Sequence, residues 1–262
     1  MPTIRVCETS MNLRTKVRIG VVVPFSNTNL ESDMILLRPT DASLHFARAA
    51  GYDLDATPDS EQMRKFAMAS LEATISSLAA ARPNVVLYGC TSATISHGRQ
   101  FDMEFAEMIR RQSGVPAVTA AGALAEALEF LGVKRVAFCS PYVESLNREA
   151  VAFLRSCGFL PVSRAYVGED LGNYGQGALT PDDVFELGCR ADHPDAEALV
   201  ISCTDARAVE AIEALECRLL KPVVTSNQAL MFCAIRRLGL DMPSLPQFGR
   251  LGRLAECAAS VV

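Results

Sequence analysis

A short pattern that occurs twice constrains this chain more than any other feature. Leu87-Tyr88-Gly89-Cys90-Thr91-Ser92-Ala93-Thr94 and Val200-Ile201-Ser202-Cys203-Thr204-Asp205-Ala206-Arg207 each run from apolar residues into a cysteine, a threonine and a further polar residue. An apolar run that ends in a small residue and opens toward a helix is how an α/β protein presents a side chain at the carboxyl edge of its sheet, where ligands bind. The surroundings repeat too. Residues 17–24 and 134–141 are both strand-like and closed by proline, and Pro24 to Cys90 spans 66 residues against 62 from Pro141 to Cys203. The run 114–119 is echoed by 221–225. Two similar halves explain these coincidences, and alternating strands and helices imply parallel sheets with crossover connections.

The expected fold is therefore α/β, with two pseudo-symmetric, doubly wound parallel-sheet half-domains and the active site in the cleft between them. The first half comprises 17–118 plus about 225–250 and carries Cys90; the second comprises 119–224 and carries Cys203. Residues 1–16 are polar, lack periodicity and read as an N-terminal extension. Between the strands, residues 59–81 predict one helix capped by Asp59 or Ser60, with Met63, Phe66, Leu71, Ile75 and Leu78 near helical spacing. Gly114 and Gly132 mark helix ends. Thr180-Pro181-Asp182-Asp183 is a helix start, with a cap, a first-turn proline and an acidic first turn. A further helix is expected over 205–217.

Composition closes off several function classes. The net charge of −5 leaves no basic excess to neutralise phosphates, which argues against nucleic acid as a partner. No apolar run approaches the roughly 20 residues of a membrane-spanning helix. The first residues have no apolar core of a secretory signal, so nine cysteines point to free thiols in a reducing, cytoplasmic setting. There is no C-x-x-C pair, and His45, His97 and His193 form no ligand-spaced cluster, so no metal site is expected.

An unperturbed thiol has a pKa of about 8.5, and ionising it at pH 7 costs roughly 2 kcal/mol. A helix N-terminus directly after the cysteine lowers that cost, because its free N–H groups and dipole favour an anion. Cys90 and Cys203 are both expected in such a place. The same amides suit a substrate carboxylate, and the hydroxyls of Thr91, Ser92 and Thr204 add donors. Cys7, Cys139, Cys157, Cys189, Cys217, Cys233 and Cys257 lack the duplicated context and read as small buried hydrophobes. His97 reads as a surface residue outside the site. Asp205 and Arg207 either tune Cys203 or decorate a helix.

The paired motifs resemble the aspartate/glutamate racemase superfamily, whose pseudo-symmetric halves each supply a catalytic cysteine. Within it the chain is most similar to the maleate cis-trans isomerases, with the arylmalonate decarboxylases as relatives. The matching stretches are Val23-Pro24-Phe25-Ser26-Asn27-Thr28, Tyr88 to Thr94, Ser140-Pro141-Tyr142, Ser202-Cys203-Thr204-Asp205 and Pro222 to Ala229, and the resemblance covers about residues 17–240. It implies that Asn27, Tyr142 and Asn173 contact substrate carboxylates. Residues 172–177, Gly-Asn-Tyr-Gly-Gln-Gly, depart from the family's usual Asn-Leu-Glu-Ile-Gly, and Phe25 replaces a usually small residue. Both departures border the expected pocket.

The resemblance implies isomerisation of a small unsaturated dicarboxylate, maleate to fumarate in type, without cofactor. In that chemistry Cys90 adds to the alkene, a single bond rotates, and Cys203 gives and takes a proton at the neighbouring carbon. The double bond must be removed before it can turn, hence a covalent nucleophile. The same two thiols also suit an amino-acid racemase, one removing a proton and the other returning it. A decarboxylase of the superfamily is a further reading, though it typically uses one cysteine. A non-catalytic carboxylate-binding protein is the reading from another class. The expected partner is a small carboxylic acid, and the fold is compatible with a homo-oligomer.

Overall fold

The computed structural model describes residues 17–51 and 59–259. The expected N-terminal extension, with Cys7, lies outside these residues. In chain order the elements begin β1 (Val17–Val23), α1 (Leu30–Leu37), β2 (Ala42–Arg48), α2 (Ser60–Ala69), α3 (Leu71–Ala79), β3 (Val85–Tyr88), α4 (Ser92–Ile95), α5 (Gly98–Ser113), β4 (Ala117–Thr119) and α6 (Ala120–Leu131). They continue with β5 (Arg135–Ser140), α7 (Glu144–Ser156), β6 (Leu160–Tyr166), α8 (Pro181–Ala191), β7 (Ala198–Ile201), α9 (Ile212–Leu219), β8 (Val223–Thr225), α10 (Ser226–Leu238) and α11 (Gly249–Ala259).

The strands form two four-stranded sheets, ordered β2-β1-β3-β4 and β6-β5-β7-β8, and every neighbouring pair is parallel. The second order is the first with each number raised by four, so the halves share one topology. Strand alternation divides the core. Ile19, Val21 and Val23 of β1 and Val136 and Phe138 of β5 face a common interior that contains α6 and α10. On the outer face of the first sheet, Val22, Val86 and Tyr88 meet Leu71, Ile75 and Phe105. On that of the second, Ala137, Leu199 and Ile201 meet Val184, Leu187 and Leu215. The first ten residues of α10 are all buried, against one or two exposed faces for most surface helices.

Local signals in the sequence account for most boundaries. Asp59 caps α2 and Thr180 caps α8, each in a reciprocal capping box with the residue three positions on. Gly114 and Gly132 end α5 and α6 with φ of 74° and 70°.

Two expectations are corrected. Residues 59–81 form two helices, because the Ser70 backbone leaves the helical region (φ −115°, ψ 3°) while its hydroxyl donates to the Ala50 carbonyl. The helix expected from Asp205 starts only at Ile212, after a 3₁₀ turn at Val209–Ala211. The carbonyls of Thr204 and Asp205 that would begin it accept instead from the side-chain amides of Asn227 and Asn29. The cysteines outside the duplicated motif also divide: Cys139, Cys157 and Cys233 are buried, whereas Cys217 and Cys257 are exposed.

Candidate active site

In each sheet the strand order reverses between the first strand and the third, and loops leaving the carboxyl ends of two such strands diverge to open a crevice. Asn27 follows β1 and Cys90 follows β3; Tyr142 follows β5 and Cys203 follows β7. Both crevices open into one cavity, lined by Asn27, Cys90, Ser92, Tyr142, Asn173, Cys203 and Thr204 among others. Of the residues expected in the site, Thr91 alone is outside that lining. Its hydroxyl donates to Ser226 Oγ (3.0 Å), which in turn accepts from the Cys203 backbone N–H (3.2 Å).

This exchange is half of a clasp between the two cysteine loops. In the other half, Thr204 Oγ1 donates to the carbonyl of Gly89 (2.7 Å) and accepts from Asn27 Nδ2 (3.1 Å). Asn227 ties the arrangement to α1, donating through Nδ2 to Asp33 Oδ2 (2.7 Å) and to the Thr204 carbonyl (2.9 Å). Asp205 holds the loop after β1, accepting from the backbone N–H groups of Thr28 (2.7 Å) and Asn29 (3.1 Å). Asn27, Asp33, Thr91, Thr204, Asp205, Ser226 and Asn227 are buried, so each bond also spares a buried polar atom the cost of being unpaired. Ser226, Asn227, Asp33 and Gly89 were not singled out from the sequence as site residues. The bonds Thr91–Ser226, Thr204–Gly89 and Asn227–Asp33 join residues 115 to 194 apart, a separation at which no local pattern signals contact.

The two thiols sit in different electrostatic surroundings. Cys90 Sγ lies 3.6 Å from Ser92 Oγ, and the N–H groups of Ala93 and Ser92 also favour its thiolate. Burial nonetheless raises its pKa above the ordinary thiol value. Burial and then the neighbouring Asp205 carboxylate push Cys203 up to about 12, against the pull of the N–H groups of Asp205 and Ala206. The expectation of two thiols lowered by helix ends is therefore corrected: desolvation outweighs the amide donors in both places. Only Cys90 precedes a helical turn directly, and α4 is just four residues long.

The groups expected to hold carboxylates are in the cavity wall. Tyr142 is buried, with its hydroxyl 3.1 Å from Ser202 Oγ. Asn173 accepts from Ser26 Oγ (3.5 Å) through Oδ1, and its buried Nδ2 donor has no protein partner. Asn27 Oδ1 accepts from the N–H groups of Leu30 (2.8 Å) and Asn29 (3.1 Å), so it also caps the loop as a turn residue does. Arg207 points away, paired with Glu210 at 2.7 Å. His97 binds the Ser60 carbonyl through Nε2 (2.9 Å), outside the cavity lining, as expected. Among the described residues no group of three or more His, Cys, Asp or Glu is placed to hold a metal ion, and no helix is long and apolar enough to cross a membrane.

Comparison with known proteins agrees with this architecture. The maleate isomerase of Nocardia farcinica is 30% identical over 244 residues, covering 90% of this chain and 95% of that protein. The arylmalonate decarboxylase of Bordetella bronchiseptica is 31% identical over 166 residues, covering 62% and 68%. The solved structure of a Nocardia farcinica maleate cis-trans isomerase variant, which carries a covalently bound succinylcysteine intermediate, superposes with a TM-score of 0.82 at 27% identity over 90% of this chain and 98% of that one. Residues 19–251 match the profile described as arylmalonate decarboxylase, and with that span of agreement the chain belongs to the arylmalonate decarboxylase family, whose members include the maleate isomerases.

Proposed function

We propose that the protein isomerises a small cis-unsaturated dicarboxylate to its trans form, without cofactor, through a covalent adduct on Cys90. The observation that carries this reading is the presence of both thiols in one cavity, in unequal surroundings. Cys90 has the donors that favour a thiolate, and Cys203, pushed up to about 12, is protonated at neutral pH as a proton donor must be. The Cys90 thiolate forms a C–S bond to one alkene carbon, and the π electrons move to the other, which takes the proton of Cys203. The bond between the two carbons is then single and turns. The Cys203 thiolate removes that proton, the double bond re-forms in the trans geometry, and the C–S bond breaks to release Cys90 as thiolate. The succinylcysteine intermediate of the Nocardia farcinica structure supports an adduct of this kind.

Asn27, Tyr142, Asn173, Ser92 and the amides after each cysteine are assigned to the two carboxylates, with Thr91 and Thr204 holding the loops that present those amides. The same reading divides the chain into a half of 17–118 with about 225–250 and a half of 119–224, working in a reducing cytoplasm. Proton NMR of the protein with maleate tests the activity. Fumarate formation at a rate that depends on Cys90 is expected; a folded protein that forms none removes the assignment. Decarboxylation of a substituted malonate is the second reading, favoured by the family match. It is distinguished by CO₂ release when phenylmalonate replaces maleate in the same assay.

A further inference from the structure

One wall of the cavity has no task in the isomerisation of an unsubstituted dicarboxylate. Besides the polar groups that suit two carboxylates, the cavity wall includes the apolar side chains of Phe25, Ala49, Ala50, Met63, Ala67 and Leu146. Among the described residues, no lysine, arginine or histidine lines the cavity. Maleate presents two carboxylates joined by two CH groups, so it has nothing to lay on such a wall, and a dianion gains nothing from apolar contact.

The wall is built rather than incidental. The Phe25 ring lies so close to the Gly51 backbone that a Cβ there would fall 1.9 Å from Cδ1, so only glycine lets the ring take this position. Met63 is held beside the nucleophile, with Ser92 Oγ 3.6 Å from its sulfur and Cys90 Sγ 3.6 Å from the same hydroxyl. Ala67, one turn along α2, is buried and keeps the wall recessed where a larger side chain would fill it.

Resting on the isomerase reading above, we infer that the substrate is a 2-substituted maleate whose apolar alkyl or aryl group lies against Phe25, Met63 and Ala67. The chemistry balances as before. Cys90 adds to the unsubstituted carbon, the electron pair goes to the substituted one, and Cys203 supplies its proton; elimination reverses both transfers. One methylene well placed in such a pocket is worth about 10- to 200-fold in kcat/KM.

The test compares maleate, 2-methylmaleate and 2-phenylmaleate by initial rates in proton NMR. A kcat/KM for either substituted acid about tenfold or more above that for maleate is expected. Ala67→Phe, which fills the recess, and Phe25→Ala, which removes the ring, should each lower the ratio of substituted to unsubstituted kcat/KM about tenfold, with circular dichroism reporting the fold. Should one variant not fold, the other and the wild-type comparison still decide. Maleate isomerised faster than both substituted acids overturns the inference and leaves the isomerase reading standing. No turnover of any of the three by folded protein overturns both.

Discussion

The loops that carry Cys90 and Cys203 leave corresponding strands of two sheets with the same order, yet they finish differently. After Cys90 the chain makes a helical turn, and a serine hydroxyl joins two amides around the sulfur. After Cys203 the carbonyls that would start a helix are taken by Asn227 and Asn29, and a carboxylate stands two residues away. Cys203 also has a φ of 139°, in the region that favours glycine, whereas Cys90 is not among the residues with positive φ. Duplication thus supplies two thiols at equivalent places in the fold. What surrounds each loop in the folded chain gives the two thiols unequal electrostatic surroundings, and the proposed function assigns the nucleophile to one and the proton reservoir to the other.

Five measurements put this contrast and its surroundings to the test. Replacing Cys90 by Ala should lower isomerisation by about a thousandfold or more, because it removes the thiol assigned to form the adduct. Cys203→Ala should cost about 10²- to 10⁴-fold while leaving a Cys90 adduct visible by mass spectrometry after incubation with substrate. The reverse pattern, an adduct on Cys203 in Cys90→Ala, would exchange the roles.

Asp33 concerns how α1 is tied, through Asn227, to the loop that carries Cys203. Burial raises its carboxyl to about 7 despite the Asn227 hydrogen bond, so the folded state holds this proton more tightly than the unfolded chain. Its contribution is fully present below about pH 4 and is lost as pH rises through 7. Asp33→Asn should remove that pH dependence and raise stability at pH 8 by up to about 4 kcal/mol, read by urea unfolding at pH 5 and pH 8. An unchanged pH slope would show that Asp33 is ionised in the folded protein.

The backbone of Cys203 gives a smaller effect. Cys203→Gly should be more stable than Cys203→Ala by about 1–3 kcal/mol, since glycine alone takes this conformation without strain. At Cys90 alanine should be the better replacement, and equal stabilities at both positions would remove the backbone contrast. The smallest effect is in reactivity. Alkylation of Cys90 by iodoacetamide, measured in Cys203→Ala, should be slower at pH 7 than that of free cysteine and rise about tenfold per pH unit, because burial holds the thiol above its ordinary pKa. A fast, pH-independent reaction at pH 7 would mean that the amide donors win.

Much of the fold was legible because its signals are local. The capping boxes at Asp59 and Thr180 and the glycines after α5 and α6 act within a few residues of themselves; the first two start helices and the last two end them where expected. The break at Ser70 and the missing helix after Asp205 were not legible, since both depend on distant partners: the Ala50 carbonyl, Asn29 and Asn227. The site divides in the same way. Seven of the eight residues expected there line the cavity, while Thr91 reaches across to Ser226 instead.

From the sequence alone follow the duplicated α/β architecture, the two strand-end cysteines and the small polar residues around them. Strand alternation, proline stops and repeated spacing are properties of neighbouring residues, and they survive reading in one dimension. Only the tertiary structure decided the state of those cysteines, the clasp through Thr204, Ser226 and Asn227, and the apolar wall beside Cys90. Each of these depends on how much water is excluded and on which groups arrive from more than a hundred residues away. Desolvation is a property of the packed whole, and here it reversed the thiol shift expected from local amides.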